Sequence, residues 1–282
     1  MKNYFLITVL CFVASLTLSA QSIYYDYGQD NFLRLEFNRP IFNNNDFGAN
    51  PNIFSFESYL NGEFRVGKKN KIAFEIPYSR FTLNSDFGSF SSNELGNIAI
   101  AYQIRDLAKP SYIEFKVRVP TANDFGLFLA DYTERFTATF PDLLSFEGSY
   151  TYEIEATQGL YYRFKPGLKL LIPISDSFSD DAEGLLDLNA LIGYKSEKFD
   201  INGGITSTWI LTESGADFDD RVLRQLFTTF TYNAGALKPG ILLRIPLGDN
   251  IAFGYNISVG IHVAYTFPTK TLDEPVIESS GL

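Results

Sequence analysis

Cysteine is almost absent from this 282-residue chain, which also has only one histidine, one methionine and one tryptophan. The single cysteine, Cys11, lies in an apolar N-terminal stretch that begins with the cation Lys2 and ends in Ser19-Ala20. This pattern predicts a secretory signal peptide, 1–20, that is cleaved after Ala20. The mature chain then holds no cysteine, which excludes disulfides, thiolate chemistry and cysteine-based zinc sites.

Long apolar runs and an excess of positive charge are also missing. No stretch after Ala20 approaches about 18 apolar residues, so we expect no membrane-spanning helix. Asp and Glu number 33 against 23 Lys and Arg, which gives a net charge of −10. This balance argues against a nucleic-acid partner, which needs basic patches, and against binding to anionic lipid by overall charge alone.

What the chain has in abundance is alternation between apolar and polar residues. From 251 to 267 every odd position is bulky and apolar, and every even position is small or polar. Successive side chains of a strand point to opposite faces, so this segment has one apolar face and one polar face. The segment is longer than the roughly 9–11 residues that a tilted strand needs to cross a bilayer.

Twelve segments with strand character are found, and we predict a strand for each of them. Their approximate ranges are 31–40, 53–66, 71–83, 95–105, 111–120, 144–156, 160–173, 185–195, 198–212, 222–234, 236–247 and 251–267. The connections alternate between short ones and long ones, and the long ones are 41–52, 84–94, 121–143, 174–184 and 213–221. Outer-membrane barrels have short periplasmic turns and long extracellular loops.

The sequence therefore predicts an all-β fold, a transmembrane antiparallel up-and-down β-barrel of about 12 strands. A soluble β-sandwich would share the alternation, but it needs neither such long strands nor loops sorted by length. We predict residues 31–267 for the barrel, 21–30 for a periplasmic or plug segment, and 268–282 for a polar C-terminal tail. The predicted location is the bacterial outer membrane, and outer-membrane lipid is the predicted partner. The sequence does not predict the oligomeric state.

The longest connection, 121–143, has a pattern of its own. Leu129, Tyr132, Phe136 and Phe140 recur at steps of three and four residues, the spacing of one helical face. We expect a short amphipathic helix that ends at Pro141. This helix either caps the extracellular mouth of the barrel or folds inward.

The polar faces of the strands point inward in this fold and carry charges, which must lie in a wet lumen or be paired. Pore-lining candidates are Glu114, Lys116, Arg118, Glu147, Glu153, Glu155, Arg163, Lys165, Lys169, Arg244 and His262. The turn at 157–159 predicts two cross-strand ion pairs, Glu153 with Arg163 and Glu147 with Lys169. Such pairs either brace the barrel wall or, as separate basic and acidic rows, create a field across a pore.

Catalytic chemistry has little support in these residues. His262 is the one histidine, and the nearest serine on its predicted face, Ser258, lies two alternating positions away. A Ser–His–carboxylate hydrolase needs a bonded pair, so we expect His262 to be a polar lumen residue. We expect no enzymatic activity, no metal site and no cofactor, and an enzyme is the third and weakest of the functional hypotheses.

Two short motifs resemble a known family. The segment from Asn93 to Tyr102, NELGNIAIAY, and the segment from Val117 to Thr121, VRVPT, resemble strand motifs of outer-membrane channels linked to the meta-pathway of phenol degradation. Ala122 stands where that family usually has glycine. The resemblance covers about a third of the chain and implies passage of small, often hydrophobic compounds, with no binding residues to transfer.

Two functional hypotheses follow from the predicted barrel. The first is a channel or facilitator for the passive passage of small solutes, with hydrophobic or aromatic compounds favoured by the resemblance. The second is a structural or adhesive barrel whose extracellular loops bind a partner, since loops 41–52, 84–94 and 213–221 are rich in residues that suit surface contact. A lumen filled by its own side chains would favour the second hypothesis.

Overall fold

A computed structural model describes residues 30–42, 52–85, 88–106, 109–122, 135–175, 181–212, 221–248 and 255–267. Within these ranges the chain is almost wholly strand, with one 3-10 turn at Phe136–Ala138. The strands are β1 (Asn31–Phe42), β2 (Asn52–Arg65), β3 (Asn70–Ser85), β4 (Gly88–Leu95), β5 (Ala99–Arg105), β6 (Ser111–Arg118), β7 (Leu143–Thr157), β8 (Leu160–Pro173), β9 (Glu183–Lys195), β10 (Phe199–Ile210), β11 (Val222–Tyr232), β12 (Leu237–Leu247) and β13 (Tyr255–Phe267).

The strands form one closed antiparallel barrel. Apart from β4 and β5, strands that follow one another in the sequence are paired, and β1 pairs with β13 from Asn31 opposite Phe267 to Phe42 opposite Tyr255. The long strand β3 pairs with β5 along its first half, Asn70 to Glu75, and with β4 along its second half, Tyr78 to Ser85. Because β4 and β5 share one position in the wall, thirteen strands make a twelve-stranded barrel, and the predicted fold class is confirmed.

The predicted fourth strand, 95–105, is wrong in its first part. The backbone leaves the ladder at Gly96, whose N–H donates to the carbonyl oxygen of Pro77 at 2.9 Å. The N–H of Asn97 donates to the carbonyl oxygen of Ala138 at 2.7 Å, so a segment from the extracellular side replaces the strand partner here. The strand resumes at Ala99.

The predicted long loop 84–94 is also wrong. β3 and β4 continue to pair up to Ser85 opposite Gly88, so the hairpin extends the wall instead of ending in a loop. The Thr82 and Ser91 hydroxyls lie 3.2 Å apart across this pair, within hydrogen-bond distance. In the described part of the chain, β4 has β3 as its only strand partner.

Alternation decides which side chains face lipid. Outward-facing side chains are large and apolar along nearly every strand, and Ile100 on β5 and Ile261 on β13 are 62% and 58% exposed. Inward-facing positions carry the polar and charged residues, most of them buried. An apolar outer surface on a sheet without open ends is stable in a bilayer, where all backbone groups must be paired.

Connections at the two ends of the barrel differ in length. Short turns include the one between β7 and β8, where Gln158 and Gly159 have φ values of 45° and 89°. This end is periplasmic, and the end with the long connections is extracellular. Three predicted segments lie outside the described residues: the signal peptide at 1–20, the periplasmic or plug segment up to residue 29, and the tail at 268–282. The start of the predicted last strand, 251–254, lies outside them as well.

Candidate permeation path and its constriction

The predicted pore-lining residues all lie on the inner face of the barrel, as their register positions show. Most are buried there, and Glu153 and Glu155 are the more exposed ones near the periplasmic end. Whether a solute passes them stays a prediction. The eleven residues are Glu114, Lys116, Arg118, Glu147, Glu153, Glu155, Arg163, Lys165, Lys169, Arg244 and His262.

Glu147 on β7 lies between basic residues of the two neighbouring strands, Lys116 on β6 and Lys169 on β8. Both predicted register pairs are confirmed, with Glu147 opposite Lys169 and Glu153 opposite Arg163. Arg163 binds Glu153 with an N–O distance of 2.5 Å, while Glu147 lies 3.1 Å from Lys116 on β6. These acids and bases share one wall, so they support the bracing interpretation and not a field across the lumen.

Lys169 forms a further bond along the wall. Its Nζ lies 2.9 Å from Asp187 on β9, which also accepts a hydrogen bond from the Thr208 hydroxyl at 2.5 Å. A similar network on β2, β3, β5 and β6 joins Lys71 to Glu63, and Gln103 to both Glu63 and Glu114. Paired charges of this kind stiffen the inner wall, because a buried charge is costly without its partner.

A side chain from the extracellular connection reaches the inner wall at β1 and β2. Arg135 donates from Nη1 to Glu36 Oε1 at 3.0 Å, and its guanidinium lies 4.5 Å from the centroid of the Tyr59 ring. Glu36 also contacts Arg244 at 3.3 Å and Arg34 at 3.6 Å, and it is fully buried. We call Glu36, Tyr59, Arg135 and Arg244 the constriction cluster.

The constriction cluster lies deep in the barrel. Glu36 is six residues from the extracellular end of β1, which corresponds to a depth of about 15 Å for a tilted strand. Residues 135–142, here called the inserted segment, therefore fold inward, one of the two predicted alternatives. Of the predicted helix, the described part from residue 135 onward forms a 3-10 turn, and Leu129 and Tyr132 lie outside the described residues.

Asn97 ties the inserted segment to the wall. Its side-chain amide donates to the carbonyl oxygens of Thr137 at 3.0 Å and Phe140 at 2.5 Å. Its side-chain oxygen, Oδ1, accepts hydrogen bonds from the backbone N–H groups of Thr121 and Ala122, each at 2.9 Å. One side chain thus joins both ends of the long connection at the break between β4 and β5.

Apolar side chains of the inserted segment pack against the upper inner wall. Phe136 and Phe140 lie against a buried cluster of Leu143, Leu171 and Leu185. Beside them is a cavity of about 130 Å³, whose lining joins apolar residues of the segment and the wall to the polar Asp142, Ser175 and Glu183. A cavity of about 150 Å³ is large enough for a benzene molecule.

A second apolar patch lies on the inner wall. Tyr161, Leu191, Phe227 and Leu242, from β8, β9, β11 and β12, form a buried cluster on inward-facing positions. The inner wall is thus polar and charged over most of its circumference, with an apolar strip on one side.

Glu36, Arg135 and Tyr59 are not among the pore-lining candidates predicted from the sequence, although the alternation of β1 places Glu36 on its polar face. The patterning of single strands holds no signal for Arg135, because its partner Glu36 is 99 residues away in sequence.

His262 has a hydrogen-bond partner on the same inner face, two strands away on β11. Its Nε2 lies 3.1 Å from the Thr231 hydroxyl.

Within the described ranges, no three His, Cys, Asp or Glu side chains come together as a metal site. No helix in that part of the chain has the length and apolar character to cross a membrane.

No protein-family model matches the chain. No curated protein matches it either. Solved structures do match: an outer membrane channel from Pseudomonas putida F1 has 10% sequence identity and a TM-score of 0.61, over 89% of this chain and 100% of that one. The fold is that of the outer-membrane β-barrels.

Two further solved barrels share this fold with the chain. The beta domain of the Bordetella autotransporter BrkA has 11% identity over 84% of this chain and 99% of its own, with a TM-score of 0.50. LpxR from Salmonella typhimurium has 8% identity over 84% and 100%, also at 0.50. With the apolar outer face, the fold places the protein in the bacterial outer membrane, while membership of the phenol-linked channel family stays a prediction.

Proposed function

We propose that this protein is a channel or facilitator through which small solutes cross the outer membrane passively. The observation that carries the proposal is the inserted segment, which enters from the extracellular side and reaches Glu36 through Arg135. A narrowing made by an inserted segment can be displaced without unfolding the barrel, whereas a narrowing made by the wall cannot. Charges at such a narrowing tune which solutes pass.

Small hydrophobic or aromatic compounds are the solute class that we favour. The cavity beside Phe136 and Phe140, whose surface is mainly apolar, lies at the extracellular entrance, and its volume of about 130 Å³ suits a single-ring molecule. Below it, the apolar strip around Phe227 and Leu242 offers further contacts on the inner wall. The resemblance to phenol-linked channels agrees with this choice.

The direct test is reconstitution of the purified barrel in planar bilayers and in proteoliposomes. We expect discrete single-channel currents and faster uptake of phenol-sized compounds than in empty vesicles. A correctly folded barrel that shows neither current nor uptake would exclude passage through the lumen.

A structural or adhesive barrel is the second candidate. The observation in its favour is that inner-wall charges such as Arg118, Arg244 and Glu114 are almost fully buried, so side chains fill much of the described lumen. This candidate predicts neither current nor solute uptake in the two assays. It also predicts that a barrel without the Arg135 side chain still shows neither. The extracellular connections would then carry the function by binding a partner.

A further inference from the structure

Charge on the lipid-facing surface follows a simple rule. Among the described strand residues that face outward, only three are charged, and all three are arginines: Arg39 on β1, Arg80 on β3 and Arg224 on β11. Each lies in the extracellular part of its strand, and the same set of positions holds no Asp or Glu. An arginine in a lipid-facing band is costly at the bilayer midplane and nearly free at the interface.

Two of these arginines share one aromatic ring. The Cζ atoms of Arg39 and Arg80 lie 5.4 Å and 6.0 Å from the centroid of Phe54, which stands on the intervening strand β2. Two groups that both lie within about 6 Å of one centroid are at most roughly 12 Å apart. Both guanidinium groups thus lie beside the same ring, in one patch of the outer surface.

Their height corresponds to the outer headgroup region. Arg80 is eight residues above Ile72, the first outward apolar residue of β3, a rise of about 20 Å for a tilted strand within an apolar band of about 25 Å. The outward residues above Arg80 are Thr82 and Asn84, so the outer face turns polar here.

The surroundings suit an amphiphilic ligand. Within the described ranges, neither Arg39 nor Arg80 contacts a carboxylate, and Phe54 is the contact that both make. An opening of about 470 Å³ between β1 and β2 adjoins Arg39, and its apolar lining includes the outward-facing Ile41 and Val259 and the inward-facing Ile53. A phosphate beside the guanidinium groups and an apolar chain against Ile41 and Val259 would match both parts of the outer surface.

We infer that Arg39 and Arg80 form a binding site for the phosphate group of a phosphorylated lipid of the outer leaflet, which in a Gram-negative outer membrane is lipopolysaccharide. The site lies on the outer surface of the barrel and does not depend on passage through the lumen. The protein's overall negative charge does not oppose it, because local arginines set the potential at this point.

The test compares three probes on the purified barrel in a neutral detergent: lipopolysaccharide, the same lipopolysaccharide after enzymatic removal of its phosphates, and inorganic phosphate. Binding is read by native mass spectrometry and by the shift in thermal unfolding. The variant is Arg39→Gln with Arg80→Gln. The matched control is Lys68→Gln with Lys109→Gln, which removes two exposed charges from the periplasmic turns.

We expect lipopolysaccharide to bind the wild-type barrel and the control, and to bind the arginine variant roughly thirtyfold more weakly. The dephosphorylated lipid should bind all three proteins as weakly as the variant binds the intact lipid. Equal binding of intact lipid by variant and wild type would overturn the inference. Binding of inorganic phosphate at comparable affinity would assign the site to a free anion and would also overturn it.

Discussion

Asn97 shows how a single residue positions the constriction. It is fully buried, and it bonds to two carbonyl oxygens of the inserted segment and to two N–H groups at the start of the same connection. The sequence suggests none of this, because Asn97 lies in a stretch that alternates like a strand. By contrast, the inward position of residues such as Glu147 follows directly from the alternation of side chains between the two faces of a strand.

We predict that Asn97→Ala releases the inserted segment while the barrel stays folded. Loss of these hydrogen bonds should cost about 2 kcal/mol, because buried groups lose their partners. Trypsin cleavage after Arg135, which is 6% exposed, should then become roughly thirtyfold faster. The readout is mass spectrometry of the fragments over time.

Asn93→Ala is the matched control for this prediction, since Asn93 is exposed on β4. It should leave the cleavage rate unchanged. Equal rates for Asn97→Ala and the wild type would show that Asn97 does not hold the segment.

At the scale of elements, strand positions could be predicted and strand interruptions could not. The alternation of β7 and β8 predicts which of their side chains face inward. The short turn between the two strands then fixes which residues lie opposite each other. The break between β4 and β5 arises from the inserted segment, which takes the place of a strand partner at Asn97. A contact so distant in sequence leaves no mark in local periodicity.

We predict that Gly96→Ala destabilises the break between β4 and β5. A Cβ atom at Gly96 would lie 2.9 Å from the Pro77 ring and would collide with the carbonyl oxygen of Ala138. The free energy of unfolding should fall by about 1–3 kcal/mol. Urea unfolding from lipid vesicles, followed by the fluorescence of Trp209, measures it.

Gly184→Ala serves as the control, because a Cβ atom there meets only the Thr212 methyl group at 3.6 Å. Its effect should stay within about 0.5 kcal/mol. Equal stability of the two variants would contradict the packing described at Gly96.

The whole molecule is a barrel with an apolar outer surface and a polar inner surface. This arrangement could be predicted from the sequence. Composition, strand length and loop sorting together favoured the barrel over a sandwich, and the closed pairing of β1 with β13 confirms it. What the sequence could not give is the filling of the lumen. That filling depends on contacts between side chains far apart in sequence, such as Arg244 with Glu36, and on the path of one long connection.

We predict that an arginine at Ile261, in the middle of the lipid-facing surface, destabilises the barrel by about 2–4 kcal/mol in vesicles. The same substitution at Thr82, above Arg80 on the polar part of β3, should cost about 0–1 kcal/mol. Urea unfolding of Ile261→Arg and Thr82→Arg measures both. Equal costs would mean that the apolar face does not meet lipid.

The central claim is that solutes pass through the lumen and past the inserted segment. It is tested most directly by the single-channel conductance of Arg135→Ala against the wild type in planar bilayers. The control is Arg105→Ala, which loses a similar contact with the Tyr112 ring at the periplasmic end of β5. We predict a several-fold higher conductance for Arg135→Ala and an unchanged one for Arg105→Ala. Identical conductance of Arg135→Ala and wild type, or no current from either, would contradict the account.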